Sequence, residues 1–191
     1  MKNSIFILLT ISILFVIACD SPNDNSADKT TTRNSSPKEM LSEAYQLFKE
    51  GKDAESVELA EEVLALGRET KNDTLIGKAL TSLCRNAQRD LDTIRLADLS
   101  EQLKDLAATS GNKKWLMYRA HQNAEMWRLI GNMDRAERYY IESMQISKAT
   151  NSKGMYMIDH FNKSFVATTK GNYKEANDLI KKYYNLRKEA D

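Results

Sequence analysis

A short pattern recurs 40 residues apart in the second half of this 191-residue chain, as Gly131-Asn-Met-Asp-Arg-Ala136 and Gly171-Asn-Tyr-Lys-Glu-Ala176. Each copy begins with Gly-Asn and ends with Ala. Gly51 lies a further two periods upstream of Gly131. Similarity at a fixed spacing of this size is typical of proteins built from stacked units, in which a neighbour buries the face that one unit cannot cover alone. The spacing therefore predicts an array of repeats.

The repeating region is predicted to be helical throughout. No proline occurs between Lys38 and Asp191, and apolar residues recur at helical spacing, as in Leu99, Leu103 and Leu106. Short turn signals such as Gly-Asn and Gly-Lys separate the helical stretches. We predict eight helices, near residues 38–50, 53–69, 73–89, 92–108, 113–129, 133–148, 154–170 and 173–188.

Around these anchors the chain resembles the tetratricopeptide repeat (TPR), a helix–turn–helix unit with small residues where its two helices touch. In the third unit, Ala124, Trp127, Gly131, Ala136 and Tyr140 stand at the spacing of the family. The first unit matches at Ala44, Gly51, Ser56 and Ala60, and the fourth at Ser164, Gly171, Tyr173 and Ala176. The resemblance covers residues 38–191. It implies an all-α, right-handed solenoid of helical hairpins, with about four TPR-like units and a period of roughly 40 residues.

The second unit departs from the family pattern. Leu91 stands where the turn glycine is expected, and Leu96 stands where a small residue is expected. The sequence therefore leaves the packing angle and the register of this unit open.

The N-terminus has the pattern of a targeting segment. Lys2 precedes an apolar run from Ile5 to Ile17, which is shorter than the roughly 20 residues that span a bilayer. The run ends in Val-Ile-Ala-Cys19, which resembles the lipobox of bacterial lipoproteins. This resemblance implies cleavage before Cys19 and a thioether from its thiol to an acylated glycerol. The alternative is an ordinary signal peptide with a chance cysteine.

This interpretation divides the chain into three segments. Residues 1–18 are predicted to be a lipoprotein signal peptide, residues 19–37 the lipidated cysteine and a flexible polar tether, and residues 38–191 the TPR-like domain. Two or three acyl chains would anchor the protein to a membrane of the bacterial envelope, inner or outer. The mature chain would then keep one free thiol, Cys84, which lies on an apolar stripe and is predicted to be a small buried hydrophobe.

The charge of the chain is nearly balanced overall but differs between its halves. Lys and Arg total 28 and Asp and Glu total 27, so no general basic excess points to nucleic acid. Residues 38–110 carry a net charge of −5, and residues 111–191 carry +6. This asymmetry favours either steering of a partner, head-to-tail self-association or simple solvation of the two ends.

The sequence contains no catalytic, phosphate-binding or metal-binding motif of a familiar kind. His121 and Glu125 lie four residues apart and share a helix face, but the only other histidine is His160. We interpret the His121–Glu125 pair as solvated, and the group of Asp159, His160 and Lys163 as a surface cluster. No enzymatic activity, cofactor or metal is predicted.

In TPR proteins the first helices of successive units line a concave groove that binds peptides. Carried over unit by unit, that groove would contain aromatic residues and arginines, which concentrate binding energy at interfaces, together with a histidine and a glutamate; the alternative is that some of these residues pack between units. The candidate partner-binding residues are Tyr45, Phe48, Arg85, Arg89, Tyr118, His121, Glu125, Arg128, Phe161 and Phe165. The carboxylate clamp of the chaperone-binding members is not expected, since Leu41, Tyr45 and Ser82 occupy three of its places.

The predicted function is therefore that of a lipid-anchored scaffold or adaptor of the cell envelope, which binds a protein or peptide and is not an enzyme. Two alternatives stay open. One is an extracytoplasmic sensory lipoprotein that signals through a separate membrane partner. The other is a structural lipoprotein that assembles with itself through its open terminal repeat, where Ile180, Tyr183, Tyr184 and Leu186 could form an adhesive end.

Overall fold

The computed structural model describes residues 35–189, which form eight helices and the short turns between them. The helices are α1 (Pro37–Lys49), α2 (Asp53–Glu69), α3 (Asp73–Arg89), α4 (Thr93–Ser110), α5 (Lys113–Leu129), α6 (Met133–Ala149), α7 (Lys153–Thr169) and α8 (Tyr173–Lys188). All eight predicted helices are confirmed, and every boundary agrees to within two residues. The predicted signal peptide, Cys19 and nearly all of the tether lie outside the described residues.

The first helix begins with a complete set of N-terminal signals. Ser36 is the N-cap, and its hydroxyl accepts a hydrogen bond from the Glu39 N–H at 3.3 Å. The Glu39 carboxylate in turn accepts one from the Ser36 N–H at 2.7 Å, and Pro37 occupies the first helical position. The helical body therefore starts at Pro37, the last residue assigned to the tether.

Consecutive helices pack against one another from α1 to α8, which confirms the all-helical, solenoid-like fold. In addition, α1 touches α3 and α3 touches α5, so the first helices of successive units lie side by side. No helix of the described region is long and apolar enough to cross a bilayer.

Small buried side chains mark the contact between the two helices of each unit. The same position of α1, α3, α5 and α7 holds Ala44, Cys84, Ala124 and Ser164, and all four are buried. Small residues here allow close approach of the helices. Cys84 is fully buried, as predicted, and burial raises the pKa of its thiol to about 12.

A residue with left-handed backbone conformation recurs every 20 residues. The positions are Gly51, Lys71, Leu91, Gly111, Gly131, Asn151 and Gly171, with φ between 50° and 86°. At all but position 111, the N–H of the following residue bonds to the carbonyl five residues back, and these bonds close the end of the preceding helix. Apart from the turn at Gly111, turns within units and turns between units therefore have the same construction.

The second unit is in register with the others. Leu91 adopts φ 57° at the place of the turn glycine, and the Asp92 N–H donates to the Ala87 carbonyl at 2.9 Å, as in the other turns. Leu96, at the place of a small residue, is completely buried. The turn geometry thus tolerates a leucine at the usual glycine position, and the core of this unit accommodates the larger side chain at position 96.

Replacing Leu91 with glycine is expected to stabilise the protein by about 1 kcal/mol, because the left-handed conformation costs a residue with a Cβ about 1–2 kcal/mol. Leu91 is 65% exposed, so little packing is lost. Urea unfolding followed by circular dichroism measures the change. Leu91→Ala is the control: it removes the same side chain but keeps the Cβ, and an equal gain from it would contradict the explanation.

Candidate functional site

The 40-residue period places equivalent residues of the first helices in columns across the array. One column consists of Tyr45, Arg85, Glu125 and Phe165, all four of which are predicted partner-binding residues. The type of side chain at this position changes from one unit to the next, and so do the residues around it. The structure divides the predicted groove into parts that differ in exposure and in bonding.

The N-terminal part of the predicted groove is open. Two adjoining cavities of about 400 and 420 Å³ lie along α1, α3 and the start of α5, and both are lined by Lys78 and Arg85. We call this pair of cavities the inner groove. Ligand sites in proteins generally have volumes of about 300–1,000 Å³, so each cavity could hold part of a peptide. The inner groove is lined by cations from three helices, namely Lys38, Lys78, Arg85 and Lys114.

Aromatic rings also line the inner groove. Tyr45 lines the first cavity, and Trp115 and Tyr118 line the second. The Trp115 and Tyr118 rings lie 5.8 Å apart between centroids. Gly77 on α3 makes room for the indole, since a Cβ there would come within 2.4 Å of the Trp115 ring. The tryptophan therefore depends on a glycine in the neighbouring unit for its position.

Arg85 is the centre of the inner groove. It is half-buried, and its guanidinium lies 4.9 Å from the centroid of the Tyr45 ring. Burial lowers the pKa of the guanidinium from its ordinary value, although an arginine stays charged at any physiological pH. No carboxylate among the described residues lies within ion-pair distance of Arg85.

Two further predicted residues are engaged within the protein. The Arg89 guanidinium lies 3.5 Å from the centroid of the Phe48 ring. It also forms an ion pair with Asp53 at 2.6 Å and donates to the backbone carbonyl of Phe48. These contacts join α1, α2 and α3. Arg89 and Phe48 are therefore bonded within the protein and are less available to a ligand.

The interpretation of His121 and Glu125 as a solvated pair is wrong. Both residues are buried, and each bonds to other partners. His121 Nδ1 lies 2.7 Å from an Asp159 carboxylate oxygen on α7. Burial opposes the charge on His121, but the hydrogen bond and the charge of Asp159 outweigh it, so the pKa of His121 lies above its ordinary value.

Glu125 is the hub of a hydrogen-bond network between α5, α6 and α7. One carboxylate oxygen accepts bonds from the Tyr140 hydroxyl and, at 2.8 Å, from the Asn162 amide. The other accepts from Arg128 at 2.7 Å. Burial and the adjacent Glu125 charge raise the pKa of Tyr140. The partners of Glu125 on α6 and α7 are distant in sequence, which is why the local pattern did not reveal them.

Asp159, His160 and Lys163 do not form a surface cluster, and that prediction is also wrong. All three are buried. Lys163 reaches between α6 and α8, where it pairs with Glu137 at 3.1 Å and with Glu175. His160 packs edge-on against Tyr156, and burial lowers the pKa of its imidazole.

Phe161 and Phe165 belong to a separate aromatic group on α7 and α8. Their ring centroids are 4.9 Å apart, and Tyr183 lies 5.1 Å from Phe161. Phe165 is 51% exposed. Of the ten predicted residues, the structure thus brings Tyr45, Arg85 and Tyr118 together in the inner groove.

The sequence reasoning missed several lining residues, including Lys38, Lys78, Lys114 and Trp115. The repeat spacing contained a usable signal for two of them, because Lys38 and Lys78 stand 40 residues apart in the column that continues to Tyr118 and Ile158. Trp115 and Lys114 lie in the first turn of α5, outside the positions carried over from the family.

No model of a known protein family and no curated protein matches this chain. Among residues 35–189, no group of three or more His, Cys, Asp or Glu side chains is placed to hold a metal ion.

Proposed function

We propose that this protein is a lipid-anchored adaptor of the bacterial envelope, built from TPR-like repeats, that binds a protein or peptide in its inner groove. The observation that carries the proposal is the pair of adjoining cavities along α1, α3 and α5, centred on Arg85 and walled by aromatic rings. These residue types concentrate binding energy at protein interfaces.

The architecture supports a TPR-like assignment. Helical hairpins recur at 40 residues, small buried side chains occupy the helix contact of each unit, and the first helices lie side by side. Arrays of this kind present a continuous surface to a partner, because each repeat adds one pair of helices to it. A rigid helical surface is suited to recognition since little ordering is needed on binding.

Anchoring is proposed from the lipobox-like sequence that ends at Cys19. Its test is metabolic labelling with a clickable fatty acid in the native organism. The wild-type protein should take up label and stay with the membrane fraction, and Cys19→Ser should lose both. Cys84→Ser is the matched control for a thiol, and it should keep both; undiminished labelling of Cys19→Ser would refute the anchor.

Partner binding is tested by capture of the tagged full-length protein from gently solubilised membranes, with quantitative mass spectrometry. A specific partner should be recovered with the wild-type protein, and the double substitution Tyr45→Ala with Tyr118→Ala should reduce its recovery at least tenfold. Tyr173→Ala, which removes a tyrosine that is 71% exposed on α8, should leave recovery unchanged. Equal recovery with the double variant would remove the inner groove from the proposal.

Self-assembly is the second candidate, and the surface of the last helix favours it. Ala176 is the only buried residue of α8, while Tyr173 and Tyr184 are 71% and 56% exposed. A further unit, including one from a second copy, could cover this face. Sedimentation of the purified protein over a hundredfold concentration range should show a rising mass if the copies associate. A constant monomer mass would exclude this candidate.

A further inference from the structure

We propose that the segment bound in the inner groove is acidic, with a carboxylate placed between Arg85 and Lys78. This inference rests on the proposed function of the inner groove and specifies the partner's chemistry. Arg85 and Lys78 are central because each lines both cavities. A ligand that extends through both cavities must therefore pass next to Arg85 and Lys78.

The charge of the inner groove is opposite to the net charge of residues 38–110, which supply most of its lining. Residues 38–110 carry a net charge of −5, yet no Asp or Glu is among the described residues that line either cavity. Lys38, Lys78, Arg85 and Lys114 meet there from three helices. Lys38, Lys78 and Arg85 thus form a local positive site within a negative stretch of the chain, and Lys114 adds to it from the positive half, so an acidic segment is attracted to the groove.

The lack of a counter-charge near Arg85 also favours an acidic ligand. The other half-buried cations of the described region have carboxylate partners: Arg95 pairs with Glu61, Arg119 with Glu101 and Glu142, and Arg128 with Glu125. Arg85 has no carboxylate partner among the described residues, and the centroids of the Tyr45 and Phe48 rings lie 4.9 and 5.9 Å from its guanidinium carbon. Removing a charge from water without a counter-charge is costly. An anionic ligand would supply the missing partner.

The walls of the inner groove favour a peptide over a lipid headgroup as the source of the anion. The cavities lie between helices, and each has at least one aromatic ring in its wall. Aromatic walls bury apolar side chains, which a peptide carries next to its carboxylates and a headgroup does not. Ser42 and Ser82 in the first cavity, and Thr74 and Thr81 in the second, add hydroxyl groups that can bond to a peptide backbone.

The test is a selection from a random octapeptide display library on the full-length protein in detergent. Peptides bound by the wild-type protein should be enriched in Asp or Glu at one position. Arg85→Glu should abolish that preference. For a selected peptide, Arg85→Gln should weaken binding by about 10- to 150-fold, as expected for loss of a hydrogen bond to a charged group. Arg138→Gln, an exposed arginine on α6, is the control and should bind like the wild type.

The other outcomes separate the inference from the function on which it rests. Enrichment of neutral peptides that require Tyr45 and Tyr118 for binding would overturn the proposal of an acidic ligand. The proposal of a peptide-binding groove would stand. Enrichment of no sequence class would count against both. Displacement of an acidic peptide by glycerol 3-phosphate, without displacement by N-acetyl-aspartate amide at the same concentration, would assign the site to a phosphate headgroup and overturn the inference.

Discussion

Replacing Glu125 with leucine is expected to lower the free energy of unfolding by about 3 kcal/mol, because the substitution leaves the Tyr140 hydroxyl and the Asn162 amide without their acceptor. An unsatisfied buried polar group costs about 1–3 kcal/mol. Tyr140 is completely buried, and Glu125 is 6% exposed, so water cannot replace the lost bonds at little cost. For a chain of this size, the melting temperature should fall by about 6–12 °C.

Urea unfolding of the full-length protein, followed by circular dichroism, measures this loss. Glu62→Leu is the matched control, since Glu62 is exposed on α2 and has no ion pair within the described region. Its effect should stay within about 0.5 kcal/mol, as for most surface substitutions. If Glu125→Leu were no more destabilising than Glu62→Leu, the network would contribute nothing to the stability of the third and fourth units.

The second large effect is expected at Leu96, where alanine should cost about 2–5 kcal/mol. Leu96 is completely buried at the start of α4, in the repeat position that holds Ser56, Ala136 and Ala176 in the other units. The second unit is packed around the larger side chain, so its removal leaves a cavity although a small residue is normal elsewhere. The cost arises from lost contacts and from incomplete collapse around the cavity.

The control for Leu96→Ala lies on the same helix, two residues earlier. Ile94 is 83% exposed, so Ile94→Ala removes a comparable aliphatic side chain without opening a cavity. Its effect on the unfolding midpoint in urea should be small. The reciprocal change, Ala136→Leu, should destabilise the third unit by about 1–3 kcal/mol through overpacking. Tolerance of both Leu96→Ala and Ala136→Leu would contradict the view that each unit is packed around its own side chain at this position.

The sequence by itself determined the helices and their period. Helical spacing of apolar residues, the absence of proline after Pro37 and the turn signals are local properties, so they placed all eight helices to within two residues. The recurrence of Gly-Asn and small residues at 40 positions fixed the stacking of like units, because each unit needs its neighbour to bury its apolar face.

Tertiary structure decided which polar residues are buried and which are available. His121 and Glu125 looked solvated on their own helix, but α6 and α7 supply Tyr140, Asn162 and Asp159 as partners. Leu91 was a departure from the pattern, but its turn still closes, because the backbone hydrogen bonds do not depend on its side chain. The cations of the inner groove meet only when three helices pack side by side. Burial and charge contacts are set by residues far away in the chain, and a local pattern does not contain them.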